Sequence, residues 1–241
     1  QAMSGAMARR ADASLPLSVY PTALADYSAG MHMVQGILLA LLHRERTGVG
    51  QKISVSLYNS MLAMQMQEAA MIMMRDTEVN WAAMPLSGVF DTADQPLVLV
   101  GAFKANPLRD ICAALEFPDL SLDARFATQE AQFANKPELQ RRFRERFLTN
   151  TRDHWLVRLE EQDLLCAPVR DMREVLVDPQ TLHNRMILES AAPGAPAYRF
   201  VASPISMSNA PVALRRVPPR LGEHTEAVLA ELGPSPRPKS P

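Results

Sequence analysis

The stretch Ala25-Asp26-Tyr27-Ser28-Ala29-Gly30-Met31-His32 places a carboxylate at the opening of the most strongly periodic apolar segment in the chain. At a helix start, backbone N–H groups lack intrahelical partners and the macrodipole is positive, so negative charge is favoured there. A carboxylate held in that position can attack an activated carbonyl and form a covalent intermediate. Aspartate at a helix start is also a common N-cap, and spacing alone does not separate the two roles for Asp26.

Other chemistries find no matching residues. The sequence has neither a Walker-type nor a dinucleotide-type glycine-rich loop, and none of its five histidines is paired at a zinc-site spacing. Ser4-Gly5 and Ser87-Gly88 do not build the Gly-x-Ser-x-Gly elbow of a serine hydrolase. Two cysteines, Cys112 and Cys166, allow one disulfide at most, which points to a reduced, cytoplasmic setting. With 25 Lys+Arg against 26 Asp+Glu, the chain lacks the cationic surplus of a general nucleic-acid binder. The longest apolar segment, from Met31 to Leu42, contains His32, Gln35 and Gly36 and falls short of the roughly 18 to 20 residues of a membrane span, so no membrane association is expected. Gln1-Ala-Met-Ser-Gly-Ala-Met7 shows no initiator Met, no basic region followed by an apolar stretch and no cleavage site, so the chain reads as if it begins within a longer protein.

The element that must position Asp26 is a helix over 26–46, with Met31, Val34, Ile37, Leu38, Leu41 and Leu42 on one face. Arg44 and Arg46 complement its C-terminal dipole, and Gly48 or Gly50 supplies a left-handed cap. Alternation in Gln51-Lys-Ile-Ser-Val-Ser-Leu predicts a strand with Ile53, Val55 and Leu57 on one side. A second helix is expected over 59–75, its Met61, Met64, Met66, Met71, Met73 and Met74 serving as adaptable core or interface packing. Residues 76–85 read as a connector.

From Leu86 the texture changes to two short strands around an Asp/Pro turn, then helices over 107–116, 137–148 and 151–162. A short helix over 172–177 precedes a proline-punctuated crossing segment over 193–219. A last helix, 225–232, ends at Gly233, and 234–241 reads as a disordered tail.

Three motifs in order, Asp26-Tyr-Ser-Ala-Gly-Met-His32, His43-Arg-Glu-Arg-Thr-Gly-Val-Gly-Gln51 and Leu221-Gly-Glu-His-Thr225, resemble the class III CoA-transferases, the family that includes formyl-CoA transferase and the carnitine and bile-acid CoA-transferases. Cys166-Ala-Pro-Val-Arg170 and Glu174-Val-Leu-Val-Asp-Pro-Gln180 are similar to the family's later segments. The resemblance implies that Asp26 is the catalytic nucleophile and that no cofactor is permanently bound, a coenzyme A thioester being substrate instead. It implies partners of three kinds: an acyl-CoA, a small carboxylic acid, and either a second copy or a chain supplying an N-terminal domain. The implied fold class is α/β, an incomplete large α/β domain plus a small α+β domain, of the interlocked-dimer type. On that plan residues 1–79 are the rear part of the large domain, 80–167 the small domain and 168–233 a returning segment.

Departures from the family pattern bear on activity. A long front segment that carries most of the family's CoA contacts precedes the point matching Gln1, so the isolated chain is expected to need completion. No counterpart of the formyl-CoA transferase glycine-rich loop lies over 80–97, which counts against that substrate class. Two other readings stand beside transfer: a CoA-ester racemase of the same superfamily, and an inactive fragment serving dimerisation alone. Tyr27-Ser28-Ala29-Gly30 replaces the racemases' glycine-rich run and favours transfer. Tyr27, His32, Gln51, Glu223, His224 and Thr225 are expected to be structural.

Overall fold

The apolar periodicity behind Asp26 forms the longest helix, α1 (Leu24–Thr47), in a computed structural model that describes residues 1–12, 14–190, 198–210 and 218–232. Its end follows the sequence signals closely. Gly48 takes φ 75° and donates its N–H to Arg44 O at 2.8 Å, while Thr47 Oγ1 donates to His43 O and accepts from Val49 N. Only Ala25 and Ser28 of this helix are buried, and Leu38 and Leu39 stand 60% and 66% exposed.

The strand expected over 51–57 does not form. Ile53 and Val55 are half-buried and their neighbours exposed, so the alternation is real, yet residues 51–56 are irregular and Leu57 already opens a helix. A period of two gives a strand two faces, but a strand exists only where a second one closes the hydrogen-bond ladder, and none among the described residues does so. The segment lies close against α1: a Cβ added at Gly36 would stand 3.0 Å from Ile53 Cγ2.

The helix expected over 59–75 is two helices, α2 (Leu57–Ala63) and α3 (Met66–Arg75). Gln65 breaks it. Its side-chain amide donates to Met61 O at 2.9 Å and to Ser4 O at 3.1 Å, while its own N–H turns to Leu62 O, so the carbonyl that would have continued the α-helical ladder is taken by a side chain. The methionines also depart from a core role. Met61 is buried, whereas Met66, Met73 and Met74 are 74%, 78% and 81% exposed.

Strands β1 (Ser87–Phe90) and β2 (Leu97–Val100) pair antiparallel, with Val89 opposite Val98, and β3 (Leu165–Pro168) adds on the far side of β2. Helices α4 (Pro107–Ala114), α6 (Lys136–Phe147) and α7 (Arg152–Glu161) pack with this sheet, and α5 (Gln129–Ala134) lies against α6. Phe90, Leu97, Leu99, Leu108, Ile111, Phe126, Leu139, Phe143, Phe147, Trp155 and Leu159 fill one core confined to residues 86–164. Phe147 is its hub, with ring centroids 4.9 Å from Phe90 and 5.7 Å from Trp155, and its carbonyl accepts the Trp155 indole N–H at 2.8 Å. Strand β3 and helix α5 had no sequence signal beyond their flanks.

The chain divides into two compact units, Gln1–Val169 and Arg170–Pro241. In the second, α8 (Met172–Val177) starts with a full capping box: Asp171 accepts from Glu174 N, and Glu174 reaches back to Asp171 N. Helix α9 (Pro179–His183) follows, capped by Asp178, which also pairs with Arg170. Strands β4 (Ile187–Ser190) and β5 (Tyr198–Val201) form an antiparallel pair with a Glu189–Arg199 bridge, at a place where no strands were expected. Helix α10 (Thr225–Leu232) matches its expected span. Gly233, the tail over 234–241 and parts of the proline-punctuated segment lie outside the described residues.

Candidate active site

Asp26 lies in the first turn of α1, three residues after Ala23, which occupies the capping position with φ −75° and ψ 63°. The plain-cap reading therefore fails. No side chain caps this helix, and the Asp26 carboxylate is exposed with no hydrogen bond or ion pair among the described residues. The two buried residues on either side of it, Ala25 and Ser28, face inward, and Ser28 Oγ donates to Ala25 O at 3.1 Å. Local sequence thus fixes which way the carboxylate points: small residues go under the turn and the acid goes out.

The residues of the three motifs differ in what they touch. Tyr27 is 65% exposed and His32 Nδ1 lies 2.8 Å from Ser28 O one turn back, a contact within the helix. Gln51 is exposed, with no side-chain hydrogen bond among the described residues. In the second unit the Leu221–Thr225 motif is a tight turn. Gly222 takes φ 76°, the Glu223 carboxylate accepts from Arg220 N at 2.6 Å, and Thr225 N donates to Gly222 O as α10 begins. Glu223 ties the turn together.

Both cysteines are free thiols, Cys112 buried and Cys166 half-buried. Burial pushes both thiols above the ordinary range, so neither has the lowered pKa of a nucleophilic cysteine. Among the described residues no group of three or more His, Cys, Asp or Glu side chains could hold a metal ion, and no helix is long and apolar enough to cross a membrane. What remains at the start of α1 is a lone carboxylate without a partner among the described residues, a group whose chemistry includes nucleophilic attack on an activated carbonyl.

Two aromatic residues that sequence patterning does not single out, Trp81 and Phe103, face each other over an open cleft, with centroids 6.4 Å apart. Composition gives no hint of this, because apolar rings in a sequence read first as core.

Comparison with known proteins joins these observations. The family model described as CoA-transferase family III matches residues 1–225. Human succinyl-CoA:glutarate CoA-transferase is 27% identical over 215 residues, covering 87% of this chain and 49% of that protein. Formyl-CoA:oxalate CoA-transferase of Escherichia coli O157:H7 is 27% identical over 264 aligned residues, covering 97% and 62%. The crystal structure of a CAIB/BAIF family protein from Brucella suis superposes with a TM-score of 0.79 at 26% identity, covering 96% of this chain and 61% of that one. The chain thus spans about half to three-fifths of the length of the relatives it matches.

Proposed function

The chain belongs to CoA-transferase family III, and from that premise we infer that it moves coenzyme A between an acyl-CoA and a carboxylic acid with Asp26 as covalent nucleophile. The observation that carries the assignment is the Asp26 carboxylate itself, held at the opening of a long helix yet used neither as a cap nor in an ion pair. A carboxylate tied into the fold would have to break those bonds before attacking; this one does not.

The reaction runs in balanced steps. An Asp26 carboxylate oxygen attacks the thioester carbonyl, the C–S bond breaks, and CoA leaves as thiolate with a mixed acyl-aspartyl anhydride behind it. The thiolate then attacks the aspartyl carbonyl of the anhydride, releasing the first carboxylate and leaving an aspartyl-CoA thioester. The acceptor carboxylate attacks that thioester and expels the thiolate, which finally attacks the acceptor's carbonyl to give the new acyl-CoA and regenerate Asp26. Carboxylates are weak nucleophiles, so holding the thioester against Asp26 supplies much of the rate.

Residues 1–79 and 168–233 are assigned to the large domain and 80–167 to the small one, supported by a core confined to residues 86–164. The chain acts together with sequence corresponding to the part of the longer relatives that it does not span, either as a homodimer or with a partner chain, and the free thiols fit a cytoplasmic setting. The test is chemical. In an assembly that transfers CoA, hydroxylamine should trap an acyl derivative at Asp26, located by peptide mass, and Asp26→Asn should abolish both trapping and transfer. An adduct on another carboxylate, or transfer by Asp26→Asn, overturns the assignment.

A further inference from the structure

Phe103 is a bulky residue at φ 64°, in the left-handed region that residues other than glycine rarely occupy, and it is 81% exposed. Its flanks are pinned. On one side Gly101 N lies 3.1 Å from both Leu86 O and Ser87 Oγ, at a crossing so tight that a Cβ on Gly101 would meet Leu86 O at 2.5 Å. On the other side Lys104 Nζ is held by Gln162 O, Asp163 O and the carboxylates of Asp110 and Asp163. The backbone is thus fixed in a conformation that costs energy and pushes an aromatic ring into solvent. Strain retained by anchors on both sides is the pattern of a ligand clamp.

The ring faces Trp81, 46% exposed, at an interplanar angle of 29°, and the two line a cleft of about 590 Å³. Met84, Pro85, Pro107 and Gln129 also line it. Its one lysine, Lys104, is already saturated, so nothing here rewards a charged group. The Trp81 indole N–H and the Gln129 amide make no hydrogen bond among the described residues and are open to a carbonyl oxygen. The geometry points to a binding site for a neutral, single-ring aromatic acyl group: a flat ring for Trp81 and Phe103, with an adjoining carbonyl for the exposed N–H donors.

This deepens the transferase reading and rests on it for the biological source of the group, the neutral acyl part of an arylacyl thioester. The binding event itself is tested apart from transfer, on the 241-residue chain, with benzamide as probe and hexanamide as the ringless control. Trp155 is buried with its N–H on Phe147 O, so quenching by a small ligand reports on Trp81. Benzamide should quench saturably and hexanamide should not. Phe103→Ala should weaken the binding about tenfold or more, Phe103→Tyr should preserve it, and Phe103→Gly, which suits a positive φ, should lose binding with no fall in melting temperature. Equal binding of hexanamide, unchanged affinity in Phe103→Ala, or a lower melting temperature for Phe103→Gly overturns the proposal. Trapping at Asp26 is read separately, so a failure of either result leaves the other standing.

Discussion

Asp26 and Ser28, two residues apart in the first turn of α1, occupy opposite environments: the Ser28 hydroxyl is buried and bonded to Ala25 O, while the Asp26 carboxylate is exposed and unpartnered among the described residues. This separates chemistry from folding at the proposed nucleophile. Asp26→Asn should therefore change stability by no more than about 0.5 kcal/mol, as for a surface site that contributes no cap. Ser56 is the contrast, because its hydroxyl accepts from Asn59 N at 3.1 Å at the start of α2, and Ser56→Ala should cost about 1 kcal/mol. Chemical denaturation of the two variants checks both values.

How much of this was legible in the sequence depends on how local each signal is. Helix α1 was readable to within two residues, because its apolar period, Arg44, Arg46 and Gly48 all act within a turn of where they stand. The strand over 51–57 was misread for the opposite reason: alternation at Ile53 and Val55 is local, but the ladder that makes a strand is not. The break at Gln65 needed knowledge of where one amide would bond, and β3, β4 and β5, as short as β1 and β2, lack the Asp/Pro turn that marked those two in the sequence. The position of Asp26 came from the sequence, whereas its role came from resemblance.

Gly101 predicts a sharp contrast with Gly30. A methyl group at Gly101 would sit 2.5 Å from Leu86 O and 2.9 Å from Ile111 Cδ1, and the first of these is backbone that cannot swing away. Gly101→Ala should destabilise by about 3 kcal/mol, the upper range of overpacking. At Gly30 a methyl group meets nothing within 4 Å, and alanine in a helix interior should be neutral or stabilising by up to about 1 kcal/mol. The melting temperature should fall for Gly101→Ala and hold or rise for Gly30→Ala.

The thiols give a pH dependence whose sign follows from burial. Cys112 and Cys166 are pushed up by desolvation, so the native state disfavours the thiolate relative to the unfolded chain. Their contribution is present in full below the unfolded thiol pKa and is lost as pH rises through the higher native value. Alkylation by iodoacetamide near pH 8.5 should be slower for both than for the urea-unfolded chain, with Cys112 the slower of the two because it is fully buried. A thiol that reacts faster in the native state would contradict this, and loss of transfer in the folded double serine variant would give a cysteine a catalytic part.

The surface of α1 predicts how the isolated chain behaves. A helix apolar on most of its circumference is ordinarily buried, yet α1 leaves Val34, Leu38, Leu39 and Leu42 between 48% and 66% exposed. Beside it, residues 50–55 have no backbone hydrogen-bond partner among the described residues, so an apolar face and an unpaired backbone edge lie together. Exposed apolar patches of more than a few hundred Å² drive association, and open edges add strand pairing to it. The chain on its own should sediment as concentration-dependent oligomers. Leu38→Lys with Leu42→Lys should shift it toward monomer without lowering the melting temperature of the core over residues 86–164, which those side chains do not enter. Adding a polypeptide that corresponds to the part of a longer relative this chain does not span should protect residues 50–55 from amide exchange and suppress self-association together. A monodisperse, monomeric chain at all concentrations, melting in one cooperative step, would show that the α1 face needs no cover and would remove the two-part assembly from the proposed function.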